Sequence, residues 1–540
     1  MLEDQMRAAL ERRRQRSTLR SLTVRDTTAR RISTTAVSAP EDSEPAGGTP
    51  TGAEPLADFS SNDYLSLAST VEMREAFVKK ILNARSNPLG STGSRLLDGN
   101  SIEHEQLEHR LANFFQAPSA LFFGSGFEAN VSIFSALPQP GDLILYDELI
   151  HASAHDGMRQ SRAGHRVGFR HNDMDDLERV LRSFVEVGDN TSASTSSSMS
   201  AEDEELQGQR ATFAHALRRR QRNVFIAVES VYSMDGDLCP LPSLIALAER
   251  WVPRECLHIV VDEAHSTGTY GPQGRGLCVG LGLPSSDSVR VRLATFGKAC
   301  GASGGVVLCD PLTREYLINY ARPFIFSTAP PQAVLMAAHC SIDMLEREDV
   351  GGRRRTEMVE RTRLLLEELR GVVEYAARTG GTAEAEDRRP LLALVPALRE
   401  DHAPQPNDDP TIRLPPSPIV PLLTPYPRPL SAHLQARGFL VRPITYPTVP
   451  MGQDRVRICV HAGNSEAEVR GLGKAVREWV DGVIEGRRRR REESQQRGNA
   501  SVSEGKNSTR VVGDVGRSAS VLARDRRLSW PSLPGVKTKL

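Results

Sequence analysis

One lysine of this chain differs from the others in its surroundings. Lys298 follows a short strand-like run, Val291 to Phe296, and opens a turn of small residues, Gly297-Lys-Ala-Cys-Gly301. A single glycine–lysine pair is common and predicts little by itself. A lysine at the end of an apolar strand nevertheless has the setting that a Schiff-base amine needs, so Lys298 is the first candidate catalytic residue.

A second candidate, Asp262, fits the same chemistry. It ends the apolar run Ile259-Val-Val-Asp262, where a buried carboxylate is costly unless a cation faces it. The protonated ring nitrogen of pyridoxal phosphate is such a cation, and a carboxylate there keeps the ring an electron sink. The alternative is that Asp262 caps the helix that follows.

The ring and the phosphate of this cofactor also have candidate partners. His151 offers an aromatic face for stacking, and helix-starting amides at Gly126 and Phe127 would suit a phosphate. Ser233, His265, Thr295 and Thr328 could add side-chain donors. His151 and His155 could instead form a metal pair, but a third ligand and the glutamate of an H-E-x-x-H motif are missing, so we expect no metal site.

Composition excludes several other classes of function. The chain has 540 residues, with 68 Lys+Arg and 68 Asp+Glu, so no overall charge indicates nucleic acid as a partner. The seven cysteines are scattered and never spaced C-x-x-C, which argues against a disulfide framework and a structural zinc site. No apolar run reaches about 18 residues, so no membrane span is predicted. The glycine-rich segment Gly90–Gly99 lacks the G-K-[S/T] ending of a P-loop.

The order of apolar runs predicts an α/β fold with a mostly parallel sheet. Strands are predicted at Val224 to Glu229, His258 to Asp262 and Val291 to Phe296, with a helix at Pro242 to Trp251. Ligands of such sheets bind beyond the carboxyl ends of the strands. The candidate residues cluster there: Glu229, Ser233, Asp262, His265, Thr295 and Lys298.

The chain is divided by composition into six parts. We predict an N-terminal helix within residues 1–31, with a cleaved mitochondrial presequence as the alternative. A linker at 32–57, a large cofactor-binding domain at 58–375 and a smaller C-terminal α+β domain at 417–485 should follow. The smaller domain should contain strands near Ile419 to Leu423 and Arg455 to Val460, and a helix from Ser465 to about Ile484. Polar composition predicts disorder in three segments: about 188–210, 376–416 and 486–540.

Ordered motifs along the chain resemble those of the α-oxoamine synthases, which are fold type I pyridoxal phosphate enzymes. These motifs are Asp58-Phe-Ser-Ser-Asn-Asp-Tyr-Leu65, Gly90-Ser-Thr-Gly-Ser-Arg95, Glu229-Ser-Val-Tyr-Ser233-Met-Asp-Gly236, Asp262-Glu-Ala-His265, Thr295-Phe-Gly-Lys298 and Tyr446-Pro-Thr448. The resemblance implies a decarboxylating condensation of an amino acid with an acyl-CoA.

The resemblance also implies roles for single residues. Lys298 would be the Schiff-base amine and then the base, Asp262 would face the ring nitrogen, and His151 would stack on the ring. His265 would lie near the phenolic oxygen, with Glu229, Ser233, Thr295 and the Gly126–Phe127 amides at the cofactor. Arg457 would pair with the amino-acid carboxylate, with Asn62 and Thr448 on the substrate side. Family members are generally homodimers, so Ser327 and Thr328 would reach the partner's phosphate.

Within the family, two motifs favour L-alanine and pimeloyl-CoA as substrates, a reaction of biotin synthesis. They are Ser60-Ser-Asn-Asp-Tyr-Leu65 and Ser94-Arg-Leu-Leu-Asp-Gly-Asn100. Arg20 is a candidate partner of the acyl carboxylate. The alternatives are a different amino acid or acyl-CoA, as in 5-aminolevulinate or secondary-metabolite synthases, and a non-catalytic subunit that keeps the fold.

The last three residues, Thr538-Lys-Leu540, differ from the peroxisomal address Ser-Lys-Leu only at one small hydroxyl residue. We therefore expect a peroxisomal import receptor as a further partner and a peroxisomal location, with the cytoplasm as the alternative.

Overall fold

The computed structural model describes residues 1–15, 19, 23–25, 34–36, 56–84, 89–186, 201–283, 288–379, 389–399 and 414–504. The chain forms two compact units, Met1–Gly482 and Val483–Leu540. Within the described ranges, none of the helices is long and apolar enough to cross a membrane.

Fifteen strands occur in the described part of the chain. They are β1 Thr23–Arg25, β2 Thr34–Ala36, β3 Ala57–Asp58, β4 Ser119–Phe123, β5 Leu143–Asp147, β6 His165–Phe169, β7 Val224–Glu229, β8 Leu257–Asp262, β9 Val289–Thr295, β10 Gly305–Cys309, β11 Ala393–Leu394, β12 Ile419–Leu423, β13 Phe439–Leu440, β14 Arg442–Ile444 and β15 Arg455–Cys459.

The same part of the chain contains sixteen α-helices. They are α1 Leu2–Gln15, α2 Val71–Leu82, α3 Ile102–Phe114, α4 Gly126–Ala136, α5 Ala152–Arg159, α6 Met174–Val185, α7 Ala201–Arg218, α8 Leu241–Trp251, α9 Leu277–Gly280, α10 Pro311–Tyr320, α11 Arg322–Phe326, α12 Gln332–Glu346, α13 Arg353–Thr379, α14 Pro396–Arg399, α15 Pro427–Ala436 and α16 Glu466–Glu504.

A seven-stranded sheet of order β4-β10-β9-β8-β7-β5-β6 forms the centre of the first unit. The run from β9 to β6 is parallel, and β10 pairs antiparallel with both of its neighbours. This is the mostly parallel α/β sheet that the sequence predicts, and the predicted strands β7, β8 and β9 and helix α8 are confirmed within two residues at each end.

Both faces of this sheet are buried, which explains why its strands are apolar throughout rather than alternating. In β7, Val224, Ile226 and Val228 pack into one hydrophobic cluster, and Phe225 and Ala227 pack into a second. Polar residues stand instead at the carboxyl ends of four parallel strands, where β5, β7, β8 and β9 end at Asp147, Glu229, Asp262 and Thr295.

A smaller antiparallel sheet of order β11-β12-β15-β14 lies in the C-terminal part of the first unit. It contains the predicted strand pair, with Ile419 opposite Cys459 and Pro421 opposite Arg457. The pair β13–β3 joins this region to the start of the large domain, because Phe439 and Leu440 run parallel to Ala57 and Asp58.

The N-terminal prediction is wrong in its extent. Helix α1 ends at Gln15, and Thr23–Arg25 pairs antiparallel with Thr34–Ala36 within the expected helix and linker. Threonine is frequent in residues 23–36, and it favours strands. Residues 37–55 of the predicted linker lie outside the described residues.

The first predicted insertion is also partly wrong. Helix α7 begins at Ala201, although disorder was expected to about residue 210. Acidic residues at its start suit a helix N-terminus, and Phe213, Ala214 and Leu217 are buried on one face. Residues 187–200 lie outside the description.

The second predicted insertion, 376–416, is ordered in part: α13 continues to Thr379, and β11 and α14 follow. Residues 380–388 and 400–413 lie outside the described residues.

The predicted disorder of the tail is wrong for residues 486–504, because α16 continues through the arginine run to Glu504. Ion pairs one helical turn apart, Arg488 with Glu492 and Arg489 with Glu485, support that helix.

Candidate active site

The carboxyl edge of the central sheet forms a polar cavity of about 130 Å³. Strands β7, β8 and β9 each deliver their last residues to it, and helices α4 and α5 begin beside it. Its lining consists of Gly126, Phe127, Asn130, His151, Ser153, Glu229, Asp262, Ala264, Leu293, Thr295 and Lys298. About half of the residues that the sequence singled out therefore line this one cavity.

Lys298 reaches into this cavity from the turn after β9. Its Nζ lies 2.8 Å from His265 Nε2. Burial lowers the pKa of Lys298 to about 8, although the carboxyl groups of Asp262 and Glu229 act in the opposite direction. A substantial fraction of the amine is therefore neutral near physiological pH, as a nucleophile or base requires.

His265 is held by a hydrogen-bond chain that runs away from the lysine. Its Nδ1 lies 2.7 Å from the Tyr64 hydroxyl, which donates to Asn62 Oδ1 at 3.2 Å. Because that hydroxyl proton is used on Asn62, the network assigns the ring proton to Nδ1 and leaves Nε2 to accept from Lys298. Burial, followed by the charges of Lys298 and Arg457, lowers the pKa of His265 well below its usual value.

Asp262 is fixed by two donors at the end of β8. Asn130 donates to Oδ2 at 2.7 Å and the Ala264 amide donates to Oδ1 at 2.9 Å. Asn130 also donates to Ser153 Oγ at 3.0 Å, and that oxygen lies 2.7 Å from His151 Nδ1. One chain of hydrogen bonds therefore orients both the carboxylate and the imidazole expected to stack on the ring.

Glu229 contributes a buried carboxyl group beside Asp262. Burial and the Asp262 charge raise its pKa well above the usual value for a glutamate. Its Oε1 has no hydrogen-bond partner among the described residues. Such an atom is costly unless a ligand group satisfies it, so Glu229 points to a polar ligand in this cavity.

The helix start at α4 supplies a site for an anion. Ser125 caps the helix by accepting from the Glu128 amide, and Gly126 and Phe127 occupy its first turn. A Cβ at Gly126 would lie 3.3 Å from Thr295 Oγ1, so glycine leaves room at the cavity floor. Thr295 donates to the Gly304 carbonyl at 3.0 Å and accepts from Gly297 at 3.3 Å, which stabilises the turn that carries Lys298.

Arg457, on β15, joins the network from the smaller sheet. Its Nε donates to the Ser233 carbonyl at 2.6 Å and its Nη2 donates to Asn62 Oδ1 at 3.1 Å. Only 9% of the residue is exposed. A buried guanidinium held by neutral acceptors keeps its charge available for an anionic ligand.

Four predicted residues lie elsewhere. Ser233 contacts Arg457 through its carbonyl, and its side chain is not in the cavity lining; Thr448 is exposed on the turn after β14. Thr328 is exposed and forms a β-bridge with Ser94. Arg20 lies outside the described residues.

The sequence reading missed Asn130, Ser153 and Tyr64 as site residues. Asn130 lies one helical turn beyond Gly126 on α4, a spacing that places both on one face. Ser153 follows His151 by two residues, and Tyr64 lies two residues after Asn62 in a motif already singled out. In each case, the spacing from a candidate residue could have identified the missed residue.

A larger open groove of about 550 Å³ runs along α2 and is lined by Arg74, Glu75, Val78, Lys79, Leu82 and Asn83. These side chains include no buried acid–base pair. The smaller cavity at Lys298 is therefore the better candidate for chemistry.

The donor set of the smaller cavity fits pyridoxal phosphate. Lys298 would form the Schiff base, Asp262 would face the ring nitrogen, and His151 would lie against the ring. The first turn of α4 would receive the phosphate. Glu229, with its unpartnered oxygen, lines the same cavity.

Comparison with known proteins agrees with this donor set. Residues 54–476 match the aminotransferase class I and II family. An 8-amino-7-oxononanoate synthase from Emericella nidulans is 40% identical over 424 residues, which cover 78% of this chain and 89% of that protein. An aminoacyl transferase sphA from Aspergillus fumigatus is 34% identical over 432 residues, covering 79% of this chain and 82% of the other.

Solved structures share the fold. A serine palmitoyltransferase from S. paucimobilis superposes with a TM-score of 0.64 at 21% identity, covering 89% of this chain and 98% of the other. An 8-amino-7-oxononanoate synthase from Francisella tularensis gives a TM-score of 0.52 at 25% identity, covering 79% and 98%.

Proposed function

We propose, from the premise that this chain belongs to the aminotransferase class I and II family and is an α-oxoamine synthase, that it condenses L-alanine with pimeloyl-CoA. The enzyme is a pyridoxal phosphate-dependent acyltransferase with the type I fold. In the proposed reaction the alanine Cα forms a bond to the acyl carbon, CoA leaves as the thiol, and the alanine carboxyl group leaves as carbon dioxide. The product is 8-amino-7-oxononanoate.

One observation carries the proposal: Lys298, with its pKa lowered to about 8, faces a neutral His265 within 2.8 Å and shares its cavity with Asp262. When bound, pyridoxal phosphate supplies an electron sink for negative charge at the amino-acid Cα. Asp262 would hold the proton on the ring nitrogen. Lys298 Nζ would take the Cα proton, and His265 Nε2 would accept a hydrogen bond from the resulting ammonium.

Arg457 would receive the amino-acid carboxylate. Its Nε is committed to the Ser233 carbonyl, which leaves the remaining guanidinium donors to bind a carboxylate once the bond to Asn62 is exchanged. Binding at Arg457 would orient the Cα proton toward Lys298. An amino acid is thereby favoured over a simple amine.

The choice of alanine and pimeloyl-CoA is supported by the relatives named 8-amino-7-oxononanoate synthase, which include the 40% identical protein and one from Haemophilus ducreyi at 32%. A second candidate, another amino acid or acyl chain, is favoured by the two aminoacyl transferases at 34% and 35% identity.

A matrix of substrates separates these candidates. The holoenzyme would be incubated with alanine, glycine or serine against pimeloyl-CoA, succinyl-CoA and palmitoyl-CoA, with CoA release and product mass as readouts. We expect the highest kcat/KM for alanine with pimeloyl-CoA. A preference for serine with palmitoyl-CoA would contradict the proposed substrates and leave the α-oxoamine synthase activity standing.

We also propose a homodimer. Leu97 and Phe326 are 77% and 69% exposed on two segments that the Ser94–Thr328 bridge joins, and a second copy would cover such apolar side chains. Thr328 could then reach the partner's cofactor, as the family resemblance implies. Sedimentation should give a dimer for the wild type and a smaller species for Leu97→Glu with Phe326→Glu; an unchanged mass would contradict this interface.

The peroxisomal location is a proposal that rests on Thr538-Lys-Leu540 alone, and this motif lies outside the described residues. A fluorescent protein carrying the last ten residues should enter peroxisomes, and Leu540→Asp should abolish import. A cytosolic signal with the intact motif would contradict it.

A further inference from the structure

His171 stands between two carboxylates beyond the carboxyl ends of β5 and β6. Its Nδ1 lies 2.9 Å from Asp147 Oδ1, and its Nε2 lies 2.8 Å from Asp237 Oδ2. Asp147 is fully buried, and the side chains of His171 and Asp237 are 19% and 16% exposed. We call these three residues the His171 clamp.

The geometry requires the imidazole to be charged. Each carboxylate can only accept, so both ring nitrogens must carry protons to donate. Burial by itself lowers the pKa of His171, but the hydrogen bonds to Asp147 and Asp237 and their charges outweigh it and raise the pKa to about 10. The clamp is therefore an ionic bridge throughout the neutral range.

The Asp147 end of the clamp is part of the turn that leads to His151. The Leu149 amide donates to Asp147 Oδ1 at 2.9 Å, and the Ile150 amide donates to the Asp147 carbonyl at 3.0 Å. His151 follows at once and is the N-cap of α5. This end is consequently rigid and continuous with the cofactor cavity.

The Asp237 end holds a loop, residues 230–239, that turns back on itself. The Tyr232 amide donates to the Asp237 carbonyl at 3.0 Å, and Val231 pairs with Leu238. Asn172, beside His171, adds bonds to Asp237 Oδ2 at 2.9 Å and to the Leu238 carbonyl at 3.2 Å. His171 and Asn172 thus attach the Asp237 end of the loop, while its first residue, Ser230, is held separately by the Asp262 carbonyl.

The opposite side of this loop contacts the smaller sheet. The Ser233 carbonyl accepts from Arg457 Nε at 2.6 Å, and the Met234 carbonyl accepts from Arg455 Nη1 at 3.1 Å. Arg455 also forms an ion pair with Asp235. A carbonyl on the loop that His171 holds therefore helps to position the Arg457 guanidinium, together with Asn62.

We propose that His171 is a positioning residue for the amino-acid carboxylate: it clamps loop 230–239 so that the Ser233 carbonyl orients Arg457 toward the ligand. The inference rests on the proposed function in one respect, which is that Arg457 receives the carboxylate. His171 is not in the cavity lining, so we expect its effect in amino-acid affinity rather than in cofactor affinity.

Two variants test the clamp from its two sides. His171→Gln removes the charge, and Asp237→Ala releases the loop while leaving the pair of His171 with the buried Asp147. His109→Gln, an exposed histidine on α3, is the matched control. The holoenzymes would be titrated with alanine, glycine and serine by the change in cofactor absorption, and with pyridoxal phosphate after cofactor removal. Hydrogen exchange of the amides of loop 230–239 would be followed in parallel.

We expect both variants to bind the amino acid about tenfold more weakly, to keep pyridoxal phosphate affinity within about twofold, and to exchange the loop amides faster than the control. An equal loss of affinity for the amino acid and for pyridoxal phosphate would overturn the inference. So would an unchanged amino-acid affinity, or an unchanged exchange rate of the loop amides. A wild type that binds none of the three amino acids would overturn it together with the amino-acid half of the proposed function. Amino-acid binding without turnover of pimeloyl-CoA would contradict only the acyl choice.

Discussion

Lys298 Nζ lies 2.8 Å from His265 Nε2, and His265 Nδ1 lies 2.7 Å from the hydroxyl of Tyr64. Tyr64 and Arg457 both donate to Asn62 Oδ1. The amine that would do the chemistry is thus joined by hydrogen bonds to the guanidinium that would bind the substrate carboxylate. Ligand binding at Arg457 can therefore affect the proton on Lys298 through fixed groups of the protein.

The lowered pKa of Lys298 predicts how its reactivity depends on pH. In the cofactor-free protein, acetylation of Lys298 by a limiting amount of acetic anhydride should rise with pH and level off above about 8, because the neutral amine reacts. A free lysine peptide, with a pKa of about 10.4, is the reference. Quantitative mass spectrometry measures both, and a Lys298 reactivity still climbing at pH 10 would contradict the lowered pKa.

Substitution of Asp262 should lower kcat/KM more than substitution of Asn130, the residue that orients it. Asp262→Asn removes the negative charge that would face the ring nitrogen, and we expect kcat/KM to fall by about 10²–10³. Asn130→Ala leaves the carboxylate but removes its 2.7 Å donor, so a loss of about tenfold is expected.

Asn113→Ala, at the end of α3, is the control for the asparagine change. Steady-state kinetics with saturating pyridoxal phosphate would give the ranking. An Asp262→Asn enzyme within threefold of wild type would rule out the assigned role.

Arg457→Lys should weaken the binding of alanine but not of ethylamine, which lacks the carboxylate. Lysine cannot keep the bond to the Ser233 carbonyl and still present a planar pair of donors, so we expect a loss of at least about tenfold for alanine. Arg442→Lys, on the neighbouring strand directly opposite Arg457, is the matched control. If alanine and ethylamine both bound more weakly by the same factor, Arg457 would not be the group that binds the carboxylate.

The clamp also predicts a pH dependence of stability. The folded pKa of His171, about 10, exceeds the usual value of 6.5, so its contribution is fully present below pH 6.5 and is lost as the pH rises through 10. Asp147, Asp237 and Tyr232 face the ring, and the Glu148 carboxylate accepts from the backbone amide of His171. Burial raises the pKa of Tyr232 well above its usual value, so it stays neutral in this window.

Urea unfolding of the wild type and His171→Gln at several pH values measures this difference. The stability gap should be widest near pH 6.5 and should narrow steadily toward pH 10. A gap that does not change with pH would contradict a charged imidazole.

The central sheet and the polar residues at the carboxyl ends of its parallel strands could be predicted from the sequence, because both depend on local patterns of residues. Strands β7 and β8 are continuous apolar runs that end in Glu229 and Asp262, and strand ends of a parallel sheet converge. The structure places Lys298 and Asp262 at that edge for the same reason, whereas Arg457, which the family resemblance singled out, lies on β15 of the smaller antiparallel sheet.

What the sequence could not supply are contacts between distant segments. Asn130 reaches Asp262 across 132 residues, and Arg457 reaches Ser233 across 224. The helix at Ala201 was missed because its acidic, serine-flanked start resembles a disordered segment, whereas the buried side chains of Phe213 and Leu217 stabilise it.

The most direct measurement uses alanine labelled with ¹³C at the carboxyl carbon. The holoenzyme, labelled alanine and pimeloyl-CoA should release ¹³CO₂ and free CoA thiol in equal amounts, with an unlabelled product of the mass of 8-amino-7-oxononanoate. Lys298→Ala should release neither. Thiol release without ¹³CO₂, or release of both by Lys298→Ala, would contradict a decarboxylating condensation at Lys298.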